Sequence, residues 1–159
     1  MKEYSYSIEM PHSAERIWAA MNDYEKWPEF AKPMVTGISV SNRGNEIGEG
    51  LVRNVHYKLP FGLKGTSIET VHDITPGVQY TYTSDGGTVG TIRLEQLGPT
   101  STRLHFHEKI LMKWPFSMFE GRIQKFIADY NRKTMLNMSE WLAKHPEYAK
   151  ETAEPTLVA

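Results

Sequence analysis

The carboxylate best placed to do chemistry is Glu108. It lies in a strand-like run over residues 102–112, where side chains alternate between two faces. Leu104, Phe106, Glu108, Ile110 and Met112 share one face, and Arg103, His105, His107 and Lys109 share the other. The apolar set belongs on the concave side of a sheet. Glu108 then projects among apolar neighbours, where a desolvated carboxyl holds its proton to higher pH and can serve as general acid or base. The alternative is a carboxylate at the sheet rim that reaches water or pairs with a buried cation. His72 is the candidate partner. Ile68, Thr70, His72 and Ile74 share a face; if that face is concave, His72 meets Glu108 or a ligand, and otherwise it is a structural histidine. Tyr80 and Tyr82, on one face with Val78, are expected to offer apolar area and a hydroxyl to a cavity. On the strand before, Asn54 and His56 oppose Arg53 and Tyr57, and apolar residues on both faces leave its inner side open.

Other motifs carry less. The pair His105-x-His107 has strand spacing for a metal, but no third ligand lies nearby and the pair belongs on the convex face. No metal site and no cofactor are expected. The stretch "SDGGTVGT" lacks the lysine and the following helix of a phosphate loop, so it reads as a hairpin turn.

The long element that must position these groups runs over residues 114–142 as a helix. Pro115 suits a first turn, Ser117 and Glu120 have capping-box spacing, and His145-Pro146 ends the run. Phe119, Ile123, Phe126, Ile127, Tyr130, Thr134, Met138, Trp141 and Leu142 form a stripe at helical spacing. From residue 118 to 144 it would be roughly 40 Å long. Tyr130, Thr134 and Asn137 lie on or beside the stripe, so they are expected to form a polar pocket wall or to bond internally. Phe119 and Trp141, at the ends, are expected to pack.

Before that helix the order is one strand, two short helices and six strands. Ser13 is a natural N-cap for the first helix, and Pro28 and Pro33 break the second. Short turns between successive strands predict an antiparallel meander. The fold class is therefore α+β, a curved seven-stranded antiparallel sheet around a long C-terminal helix, with a gap between them as the pocket. Residues 1–145 are expected to form a single ligand-binding domain, and residues 146–159, without periodicity, a flexible tail.

Composition narrows the partners. The chain has 159 residues, no cysteine and a formal charge of -1. Disulfides and thiolate chemistry are excluded. The charge balance argues against nucleic acid. No run reaches membrane-spanning length, and no export signal is seen, so a cytoplasmic monomer or homodimer is expected.

"MPHSAERIWAAMNDYEKWPEF" carries Trp18, Asp23 and Trp27-Pro28-Glu29-Phe30, and "IGEG" and "STRLHFHEKI" follow later. This resembles the polyketide cyclase/dehydrase-type proteins of the START and birch-pollen-allergen superfamily, over residues 3 to about 144. The resemblance implies the helix-grip fold. It implies no shared catalytic motif, so function rests on the site. The first reading is binding of a hydrophobic or aromatic small molecule, such as a lipid, a quinone or a polyketide-like compound. Tyr80, Tyr82, Phe106, Phe119, Ile123, Phe126, Ile127, Tyr130, Thr134 and Asn137 would line its site. The second is a cyclase or dehydratase of poly-carbonyl substrates using Glu108 and His72. The third is a protein-interaction module without ligand.

Overall fold

In a computed structural model, residues 2–59, 62, 64–112, 114 and 116–149 are described. The alternating runs become seven strands: β1 Lys2–Met10, β2 Val35–Asn42, β3 Val52–Lys58, β4 Lys64–Thr75, β5 Gln79–Ser84, β6 Val89–Gly98 and β7 Ser101–Ile110. They form one antiparallel sheet in the order β1-β7-β6-β5-β4-β3-β2. Helices α1 Ala14–Asn22 and α2 Trp27–Ala31 separate β1 from β2, and α3 Glu120–Lys144 follows the sheet. This is the helix-grip arrangement.

Local chemistry sets the helix ends. Ser13 caps α1, its Oγ accepting from the Arg16 amide at 3.3 Å. Pro28 falls in the first turn of α2, so it starts that helix rather than breaking it, because its missing N–H would be unpaired there anyway. The expected capping box of α3 does not form. Residues Phe116–Phe119 make a 3-10 turn, and Phe119 is the N-cap without a side-chain bond. Pro115 lies outside the described residues.

The far end of α3 is held firmly. Arg16 forks onto three carbonyls: Leu142 at 2.9 Å, His145 at 2.7 Å and Tyr148 at 3.0 Å. These include final carbonyls that a helix cannot satisfy itself. Tyr148 sets its edge against Trp141 and donates to Asp23 at 2.8 Å. Of the expected tail, residues 146–149 thus include a packed Tyr148, and residues 150–159 lie outside the described residues.

The core sits beneath this end. Ile17, Ala20 and Met21 of α1, Leu104 of β7, and Met138 and Leu142 of α3 are fully buried. Trp141 donates to Glu29 at 2.5 Å, and Asn137 to the Phe30 carbonyl at 3.2 Å. α3 therefore packs with its second half, where Thr134, Met135, Met138, Trp141 and Leu142 are buried. Its first half carries no buried residue. Phe119, expected to pack, is 56% exposed, because the 3-10 turn holds it outside the apolar stripe's contact with the sheet.

Replacing Arg16 with alanine should lower unfolding free energy by about 2 kcal/mol in urea titration, given charge-assisted bonds to half-buried carbonyls. Lysine should recover less than half, since a point charge cannot fork. A loss below about 0.5 kcal/mol would mean that water serves these carbonyls as well.

Candidate functional site

The concave face is built from register. β7 pairs with β1 and β6 so that Tyr4, Glu108 and Gly90 form one cross-strand row, which Tyr82 of β5 continues. Glu108 does face inward and is 5% exposed. Tyr4 donates to its Oε1 at 2.9 Å, and Tyr82 donates to its Oε2. Gly90 makes the second bond possible: the Tyr82 ring lies directly over it, and a Cβ there would sit inside the ring.

The next inward group is a buried ion pair. Arg53 of β3 is 5% exposed, and its Nε donates to Glu69 Oε2 at 2.8 Å. Its guanidinium lies 5.5, 5.7 and 5.1 Å from the ring centres of Tyr24, Tyr80 and Tyr82, within cation–π range. Arg53 settles which side of β3 faces in. As a site residue it escaped sequence reasoning, although a signal existed. Counting outward from the β3–β4 connection places Arg53 opposite Glu69.

Among the described residues, the concave face thus carries one buried cation, Arg53, and two inward carboxylates, Glu69 and Glu108. Burial pushes the Glu108 carboxyl up, the Tyr82 and Tyr4 bonds pull it back, and the charge of Glu69 adds to the rise. Burial alone would lower Arg53, but Glu69 together with Tyr80 and Tyr24 more than offsets it and the guanidinium stays charged. The Tyr82 phenol is pushed up, first by burial and then by Glu108.

His72 is not part of this group. It lies on the outer face of β4, bonded to Asp73 Oδ2 at 2.9 Å and Thr83 Oγ1 at 2.8 Å. Glu69 and Val71 take the inner positions, so alternation turns Ile68, Thr70 and His72 outward. A bulge at Asp73, with φ of 53°, then shifts the phase, and Ile74 returns to the core. His105 and His107 also face outward, on Glu95 at 2.8 Å and Glu3 at 3.1 Å. Among the described residues no group of three metal-ligating side chains converges.

The remaining predicted lining residues divide. Tyr80, Tyr82 and Phe106 are buried in the concave wall, where Phe106 stacks between Tyr4 and Tyr6. Ile123 and Ile127 are half-buried on the first half of α3. Phe126, Tyr130, Thr134 and Asn137 border an open cleft of about 370 Å³ between α3, the α2–β2 connection and the end of β3. Pro33, Met34 and Leu59 complete its apolar lining, and Lys32, Lys58 and Lys133 stand with them. Each of the three polar helix residues makes one internal hydrogen bond. Tyr130 Oη accepts from the Met34 amide at 3.0 Å, Thr134 donates to the Tyr130 carbonyl at 3.0 Å, and Asn137 holds Phe30. What they present to the cleft is largely their carbon surface.

Residues 1–137 match the family model for polyketide cyclase / dehydrase and lipid transport. The chain belongs to this family. No curated protein matches by sequence. Among solved structures, a protein of Thermus thermophilus superposes with a TM-score of 0.73 at 16% identity, covering 91% of this chain and 99% of that one. A START superfamily protein of Mycobacterium smegmatis gives 0.72 at 20% identity, over 88% and 98%. The Zhui aromatase/cyclase of Streptomyces sp. R1128 gives 0.72 at 12% identity, over 97% and 99%. At these identities the likeness is one of fold. No described helix is long and apolar enough to cross a membrane.

The raised Glu108 sets a pH dependence. A carboxyl with a folded pKa above its unfolded value favours the folded state fully at and below the unfolded pKa, near 4.3, and that advantage is lost as pH rises through the folded pKa. Glu108→Gln removes the titration. Wild-type stability measured against the variant should therefore decline from about pH 4 toward neutrality. Parallel denaturation profiles for the two proteins would contradict the assignment.

Proposed function

We propose that this protein binds a hydrophobic or aromatic small molecule in the cleft beside the middle of α3, from Phe126 to Asn137. The observation that carries this reading is the uneven packing of that helix. Met135, Met138, Trp141 and Leu142 at its C-terminal end are buried, with bonds to α1 and α2, while Phe126 is 40% exposed over a cleft of about 370 Å³. That volume lies within the usual range of small-molecule sites, and the lining is mostly carbon with polar groups already fixed. Membership of a family that includes lipid transport supports the same reading.

The second reading is a cyclase or dehydratase acting on poly-carbonyl substrates. The rise in the Glu108 carboxyl favours it, as does the family's polyketide branch. Against it, each carboxylate oxygen already accepts from a tyrosine, and Glu108 is absent from the cleft lining. A substrate would have to displace Tyr4 or Tyr82 to reach it. If Glu108→Gln leaves turnover of a poly-carbonyl substrate unchanged, this reading fails.

Binding is tested with the neutral fluorophore N-phenyl-1-naphthylamine. The wild type should bind it saturably, and Phe126→Ser should weaken binding about tenfold, the loss expected from one part-exposed phenyl contact. A non-saturable signal, or a variant indistinguishable from wild type, would remove the cleft from consideration and leave the protein-interaction reading.

A further inference from the structure

Three lysines surround the apolar cleft, and each comes from a different element. Lys32 is the C-cap of α2, Lys58 ends β3, and Lys133 lies on α3. Among the described residues, no acidic one lines the cleft. None of the three lysines forms an ion pair with a described residue. The acids beside them on the same helices are engaged elsewhere. Glu29 holds Trp141 at 2.5 Å and Lys26 at 3.7 Å, and Asp129 holds Lys125 at 3.2 Å.

The strand register adds an independent sign. Lys58 stands directly opposite Lys64 in the β3–β4 ladder, and like charges in that position oppose pairing. A chain with a net charge of -1 has no general excess of lysine to explain this clustering. The cleft is also fixed in shape. The Lys58 amide donates to the Met34 carbonyl at 2.7 Å, and the Met34 amide donates to Tyr130. These bonds tie the end of β3, the α2–β2 connection and α3 together around it.

We propose that the cleft selects amphiphiles with a single anionic head, a carboxylate or a phosphate monoester. The apolar body lies against Met34, Leu59 and Phe126, and the head is held at the mouth by Lys32, Lys58 and Lys133. Lysine suits this place because its stem extends the apolar wall while its ammonium stays at the water boundary. The inference rests on the binding function proposed above and adds the ligand's charge.

Calorimetric titration with decanoate, decyl phosphate and decan-1-ol separates the two. One or both anions should bind about tenfold or more tightly than the alcohol, and the anion that binds better identifies the head. Raising salt should narrow the gap, since exposed charges are screened. The combined variant Lys32→Gln, Lys58→Gln and Lys133→Gln should bind all three compounds as wild type binds the alcohol. Equal wild-type affinity for the alcohol and both anions would overturn the charge inference while leaving the binding function standing. No binding of any of the three would overturn both. A preference for anions that persists in the variant would also overturn the lysine assignment.

Discussion

The guanidinium of Arg16 on the last carbonyls of α3 is the contact on which the rest of the architecture depends. It ties α1 to the C-terminal end of a helix of 25 residues, about 37 Å long. Trp141, Leu142 and Met138 pack around it, and Glu29 and Phe30 of α2 add hydrogen bonds. With one end fixed in this way, α3 projects along the sheet as a lever. Its other end is tied to β1 by lighter contacts, Tyr6 to Asn131 at 2.6 Å and Gln124 to the Glu3 carbonyl. The apolar stripe outlasts the surface that covers it, and the cleft is the consequence.

The concave wall and the cleft are different environments in one fold. The wall is polar but closed. Arg53 answers Glu69, two tyrosines answer Glu108, and Gly90 lets Tyr82 cross between strands. The network is not fully satisfied, because Arg53 Nη1 and Tyr80 Oη are buried without a hydrogen-bond partner among the described residues, and such atoms are costly in a low-dielectric interior. The cleft is apolar and open, with charge only at its margin. Binding needs the second environment. Acid–base chemistry would need the first to open, and the two tyrosine bonds on Glu108 resist that.

Much of the fold was legible because it follows from local rules. Period-two alternation marked the strands, Ser13 marked α1, and the stripe through Met138 to Leu142 marked α3. The burial of Glu108 was legible too, since Leu104 and Phe106 fix the phase of β7. The position of His72 was not. Ile68 and Ile74 frame it as though they shared a buried face, yet the bulge at Asp73 puts them on opposite sides. Arg53 was hidden for a related reason: β3 carries apolar residues on both faces, and only pairing with Glu69 decides between them. Periodicity showed which face of α3 is apolar, but nothing local says how far along the helix a partner extends. For Tyr130, Thr134 and Asn137 the helical pattern leaves pocket wall and internal bonding equally open, and only the positions of Met34, the helix backbone and Phe30 show that they bond internally while bordering the cleft.

The most direct test of binding in the cleft is the location of a bound apolar molecule on the intact protein. Backbone amide chemical-shift mapping by NMR, with a neutral apolar ligand added stepwise, reads this without assuming a chemistry. Shifts should concentrate at Met34, Leu59, Phe126, Tyr130 and Thr134. Shifts centred instead on the outer-face groove at Ser5, Ser7, Thr91 and His105, or spread evenly over the chain, would contradict cleft binding.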